Sequence, residues 1–166
     1  MRLFCLGNLG PPQPGTGKPW HICAADSEDG VSFKLAARAI QFTGEPTTDP
    51  SVTRLSDGSW LMALSQGQKT VLARSKDGLA FEQYASVDYG GVPEVSSLKD
   101  GRTRLYVCAR GIESYFSNDR GTTWTKEAAN IAPNLGKAIT CDPSWVPAAN
   151  LFFYKTGGGP PSRPGN

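Results

Sequence analysis

The sequence predicts an all-β chain, a partial β-propeller built of four-stranded antiparallel blades. Three observations predict it. One motif, Ser-x-Asp-(x)-Gly-x-x-aromatic, recurs as Ser27-Glu28-Asp29-Gly30-Val31-Ser32-Phe33, Ser75-Lys76-Asp77-Gly78-Leu79-Ala80-Phe81 and Ser117-Asn118-Asp119-Arg120-Gly121-Thr122-Thr123-Trp124, with starts 48 and 42 residues apart. Self-similarity at such a period marks a radial or stacked repeat architecture. A hairpin pattern runs in phase with it: Asp49-Pro50-Ser51-Val52-Thr53-Arg54-Leu55-Ser56-Asp57-Gly58 returns as Val92-Pro93-Glu94-Val95-Ser96-Ser97-Leu98-Lys99-Asp100-Gly101, each followed by an apolar run. No stretch shows a capped helical period, whereas 19 glycines and 13 prolines among 166 residues suit many short strands and tight turns.

The elements follow in order. Residues 1–6 read as the second strand of a blade whose first strand is absent, and the third strand lies near residues 21–25. The segment between is a long hairpin loop. It contains Pro12-Gln13-Pro14-Gly15-Thr16-Gly17-Lys18-Pro19, a near match to a phosphate-binding loop. That motif requires Gly where Pro12 stands, Ser or Thr where Pro19 stands, and a helix next; here Trp20-His21-Ile22-Cys23 continues as a strand, so nucleotide binding is not expected. The best unit places strands at residues 51–55, 60–64, 70–74 and 81–85, the first pair joined by Asp57-Gly58. Asp-Gly supplies the positive backbone angles of a tight hairpin turn. A degraded third copy of the hairpin covers residues 142–154. The blades then span about residues 1–40, 46–86, 92–129 and 140–156, one partial propeller over 1–156 with a flexible Gly/Pro tail at 157–166. Closed propellers have about four to eight blades. About three and a half read as a fragment of a longer ring, or as half of a ring closed by two chains. Either way an apolar sheet face at the open edge favours self-association.

The repeated motif is first a mechanical device. Ser27, Asp29, Ser75, Asp77, Ser117 and Asp119 are expected to bond nearby amides. Gly30, Gly78 and Gly121 take the left-handed position, and Phe33, Phe81 and Trp124 pack under the loop. A net charge of +2 argues for neither nucleic acid nor an anionic membrane as partner, and no run of about 18 apolar residues is present. Residues 1–6 are too short for the apolar core of a signal peptide, which leaves localisation open. Cys5, Cys23, Cys108 and Cys141 lack metal-ligand spacing and are expected to be buried as small apolar residues, although Cys5 and Cys23 fall on adjacent strands. No metal or cofactor is expected.

The motifs resemble the Asp boxes of sialidase-type proteins, and the Asp-Pro-Ser-Val hairpin resembles the first two strands of a blade in five-bladed arabinanase-, xylosidase- and fructosidase-type glycosidases. The third motif copy matches the Asp box fully; the other two lack one residue before Gly and end in Phe. The resemblance covers nearly the whole chain and implies the fold more than an activity, since Asp boxes also occur in non-enzymatic propellers.

In such propellers the innermost strand of each blade starts at the central channel, which places Asp49, Glu94 and Asp142 near the axis. The resembling glycosidases use two Asp and one Glu as base, pKa tuner and acid. By that analogy Glu94 is the acid, Asp49 the base and Asp142 the tuner. Glu94 lies two places past the position of Asp49 and Asp142, where Val92 stands, and in a strand that spacing keeps the same face. Trp145, on an innermost strand, is the candidate for stacking on a sugar, and Arg74 and Arg110 are further substrate-binding candidates. Two alternatives stand beside this reading. One is a sialidase-like site, which needs an arginine trio (from Arg54, Arg74, Arg104 and Arg110) and a Tyr–Glu pair with Tyr106 or Tyr115. The other is a non-catalytic propeller that binds glycan or protein. Asp49 and Asp142 also suit plain turn roles before proline.

Overall fold

Alternating side chains that are buried on both faces require sheets stacked face to face, and the chain is built that way. The computed structural model describes residues 1–7, 21–41, 47–128, 132–133 and 139–157. The hairpin loop and the phosphate-loop look-alike at 12–19 fall outside the described residues, as does the tail from 158 onward.

The first sheet is β1 (Arg2–Gly7), β2 (His21–Asp26) and β3 (Lys34–Gln41), paired in that order. The second is β4 (Thr48–Arg54), β5 (Trp60–Gln66), β6 (Lys69–Ser75) and β7 (Glu82–Val87). The third is β8 (Gly91–Ser97), β9 (Thr103–Ala109), β10 (Gly111–Ser117) and β11 (Thr125–Lys126), with β12 (Ala132–Pro133) also paired to β10. The fourth is the hairpin β13 (Ile139–Val146) and β14 (Leu151–Gly157). All pairings are antiparallel. The described residues contain no α-helix, only a 3-10 turn at Pro147–Ala149 closed by left-handed Asn150.

The run Leu61-Met62-Ala63-Leu64 is fully buried because neighbouring sheets cover both sides of β5. Met62, Leu64, Val71 and Ala73 meet Ile22 and Ala24 of the first sheet. Leu61, Ala63 and Leu72 meet Leu105, Val107 and Tyr115 of the third. Tyr106 and Ile112 of the third sheet then meet Trp145 and Phe152 of the fourth. Period-two alternation divides the side chains between two interfaces, and the stacked sheets form a partial β-propeller.

The turns between first and second strands repeat in detail. Leu55 N–H donates to the Ser59 carbonyl at 2.8 Å and Leu98 N–H to the Arg102 carbonyl at 2.8 Å. Only the glycines, Gly58 (φ 84°) and Gly101 (φ 86°), take positive angles there. This corrects the expectation that Asp-Gly supplies the positive angles as a pair: the glycine alone does, in a turn with a glycine bulge. The Asp carboxylates instead accept the amides of Ser59 (3.0 Å) and Arg102 (3.1 Å).

The three Ser–Asp–Gly loops also share one pattern. Each Ser Oγ donates to the Asp carboxylate, at 2.9, 2.8 and 2.7 Å, and accepts the Gly amide, at 2.8, 2.9 and 2.7 Å. Each carboxylate takes two further backbone amides, from Val31 and Ser32, Leu79 and Ala80, Thr122 and Thr123. These amide donors hold Asp77 and Asp119 at about 2 and push Asp29 down as well. Phe81 is buried against the first sheet and Trp124 packs toward the second. Phe33 departs from the expectation: it is exposed, and among the described residues no further sheet lies against that face of the first.

Candidate functional site

The innermost strands β4, β8 and β13 lie side by side and begin with the same irregularity. Asp49 (φ 51°), Val92 (φ 45°) and Asp142 (φ 53°) are all left-handed, and each precedes a proline. The pairing register slips at the same place in all three hairpins, between Thr48 and Ser51, Gly91 and Glu94, and Cys141 and Ser144. Proline has no amide for the ladder and is tolerated at a bulge. Left-handed backbone at a β-branched residue such as Val92 costs about 1–3 kcal/mol and persists only where the surroundings enforce it. The surroundings are visible: Val92 N–H donates to Ser65 Oγ (3.1 Å), and Asp142 N–H meets Cys108 Sγ (3.2 Å). Ser65 and Cys108 hold equivalent places on β5 and β9, opposite Thr48 and Gly91. Bulges of this kind re-aim side chains at strand ends.

Below the bulges, hydroxyls join one inner strand to the next. Ser51 Oγ accepts the Val95 amide (2.9 Å) and donates to Glu94 Oε2 (2.8 Å). Thr53 Oγ1 accepts the Ser97 amide (3.0 Å), and Ser97 Oγ donates to the Arg54 carbonyl (2.6 Å). These bonds satisfy amides on strand edges that no ladder reaches. Glu94 also accepts Ser96 Oγ (3.1 Å) and the backbone amide of Trp145 on β13. The half-buried Glu94 carboxyl is pushed above its ordinary value by burial, which outweighs the three donor bonds.

Asp49 and Asp142 are exposed. Thr48 Oγ1 donates to Asp49 Oδ2 at 2.6 Å, and Lys155 Nζ stands 3.6 Å from Asp142 Oδ2. A pocket of about 210 Å³ beside the bulges is lined by Gly67, Gln68, Val92, Cys108, Thr140 and Cys141 among others. The described residues hold no group of three or more His, Cys, Asp or Glu placed to bind a metal ion.

Several candidates lie elsewhere. Arg74 ends β6, next to the second Ser–Asp–Gly loop and at the opposite end of the sheets from the bulges. Its Nη2 donates to the Arg120 carbonyl (3.0 Å) and Thr122 Oγ1 (2.9 Å), and its guanidinium lies 4.5 Å from the Tyr84 ring centroid. There the side chain joins two loops. Arg110 is exposed in the β9–β10 turn, at the bulge end. Trp145, partly buried, packs with Phe152 against Tyr106 and Ile112 at the interface between the third and fourth sheets.

The arginines of the sialidase-like alternative are dispersed. Arg54 donates to the Gly58 carbonyl (3.4 Å) and Arg104 pairs with Glu127 (2.8 Å). Tyr115 does donate to Glu113 (3.0 Å), but burial raises its hydroxyl far above the usual range, opposite to what a nucleophile needs. It sits buried between the second and third sheets, stacked on Tyr89 at 4.1 Å.

The cysteine expectation fails for one pair. Cys108 and Cys141 form a disulfide, their Cα atoms 5.1 Å apart, which binds β13 to β9 one residue before Asp142. Their separation of 33 residues carries no signal in the sequence; the blade repeat alone brings those positions together. Cys5 and Cys23 are opposite one another on β1 and β2 and are not joined by a disulfide. Sequence reasoning also missed Ser51, although its equivalence to Glu94 was visible in the aligned hairpins.

No family model matches this chain, and no curated protein matches it. Among solved structures it is similar to a thermostable family-43 glycoside hydrolase, with a TM-score of 0.58, 14% identity and 84% of this chain covered. The chain spans 57% of the length of that neighbour. At such identity the likeness bears on the fold, which both share as a β-propeller.

Proposed function

We propose that the bulge end of the inner strands is a carbohydrate site of the glycoside-hydrolase type, with Glu94 as general acid and Asp49 and Asp142 as the accompanying carboxylates. One observation carries the reading: a half-buried carboxyl, its proton held more tightly by burial, stands on an innermost strand whose two neighbours, β4 and β13, each carry an exposed aspartate. A carboxyl whose proton burial holds more tightly suits protonation of a glycosidic leaving oxygen. The exposed aspartates suit water activation and tuning of the acid. The likeness to a family-43 glycoside hydrolase supports the same substrate class.

A second reading, a non-catalytic carbohydrate-binding propeller, is favoured by a specific equivalence. Glu94 occupies the place of Ser51, and each accepts an amide from the next inner strand. The carboxylate then serves as a strand connector.

The test uses the whole chain with arabino- and xylo-oligosaccharides and the corresponding 4-nitrophenyl glycosides. Under the first reading, Glu94→Gln abolishes turnover of oligosaccharides, whose leaving groups need a proton, and spares the activated glycosides. Calorimetric binding is retained. Binding with no turnover by the parent chain selects the second reading. Neither binding nor turnover removes both.

A further inference from the structure

The three interfaces between the described sheets follow one rule, and among the described residues the two outer faces of the stack are its unmatched halves. Hairpin register makes Leu61 and Ala63 of β5 equivalent to Arg104 and Tyr106 of β9 and to Leu151 and Phe153 of β14. In the second and third sheets these positions point to the following sheet, and Leu61, Ala63 and Tyr106 are buried by it. In the fourth sheet Leu151 and Phe153 are 50% and 54% exposed. The opposite set faces the preceding sheet: Met62 and Leu64 in β5, Leu105 and Val107 in β9. Their equivalents in β1 are Leu3 and Cys5, by the bond from Ser27 N–H to the Met1 carbonyl, which matches the Trp60–Ser75 pairing. Leu3 is 47% exposed, Leu35 on the same face is 66% exposed, and Phe33 is uncovered where Phe81 and Trp124 are packed.

We propose that the outer face of β14 receives the outer face of the first sheet of a second copy of this chain, head to tail. The occupant is argued from continuity: each chain carries one forward face and one backward face of an interface that it already builds internally three times. Sheet interfaces of this kind are apolar, directional and heterologous, so the contact joins unlike faces and repeats around a ring or along a row. Two forward faces do not share that complementarity.

The experiment measures molar mass by light scattering across roughly a hundredfold range of concentration, in a Cys5→Ser background so that no intermolecular disulfide mimics the contact. The parent chain should associate as concentration rises. Phe153→Lys and Leu35→Lys, each charging one exposed face, should both be monomeric alone. Their mixture should give a 1:1 heterodimer, because the first retains an intact backward face and the second an intact forward face. Recovery of that heterodimer also shows that both variants are folded. A parent that stays monomeric throughout overturns the proposal. So does loss of association in only one of the two variants, since that indicates pairing of like faces, or a mixture of folded monomers with no heterodimer.

Discussion

Removal of the Cys108–Cys141 disulfide by Cys108→Ser with Cys141→Ser should cost far more than an average surface change. The bond closes a loop of 33 residues. Chain-entropy arithmetic for that loop gives about 3.7 kcal/mol at 25 °C. In a chain of this size each kcal/mol moves Tm by about 2–4 °C, so the loss corresponds to about 7–15 °C. The structural setting also makes the effect local. The β13–β14 hairpin is held by this bond and by Trp145 and Phe152 against the third sheet, while its other face is open. Urea denaturation with and without reductant is the assay. Reduction of the parent should reproduce the midpoint of the double variant, and the variant should ignore reductant. Amide exchange should show β13 and β14 losing protection before β5 and β6, whose residues are covered on both sides. A loss below about 1 kcal/mol, or uniform exchange across all sheets, would refute the reasoning.

Two further outcomes follow from named residues. Burial raises Glu94 above its ordinary 4.5, so the folded chain holds a proton that the unfolded chain has released, and stability falls as pH rises from about 4.5 through the folded value. Glu94→Gln removes that dependence; its Tm relative to the parent should climb as pH rises above about 4.5, and a constant difference would sink the assignment. Gly78→Ala should cost about 2–4 kcal/mol, because φ is +72° and a Cβ would lie 2.8 Å from Trp60 Cε2. Gly101→Ala, at φ +86° with nothing within 4 Å, should cost only about 1–2 kcal/mol. Equal urea midpoints for the two would refute the steric part of this account.

The all-β architecture was legible because its causes are local. The Ser–Asp–Gly loops specify their own hydrogen bonds within a few residues, and the apolar run from Leu61 to Leu64 is written in adjacent positions. The aligned prolines at 50, 93 and 143 likewise marked the start of each inner strand. What those prolines do was not legible: the left-handed bulge depends on Ser65 and Cys108, which lie on the preceding sheet.

The sequence by itself determined the strands, their turns and their repeat, since short-range sterics and capping decide those. Tertiary structure alone decided which carboxyl is enclosed, which arginine is committed to a distant loop, and which cysteines meet. Glu94 differs from Asp49 and Asp142 through what packs around it, namely Ser51 from the preceding sheet and Trp145 from the following one. Desolvation and disulfide geometry are properties of the assembled neighbourhood, and stacking sheets brings residues tens of positions apart into one environment.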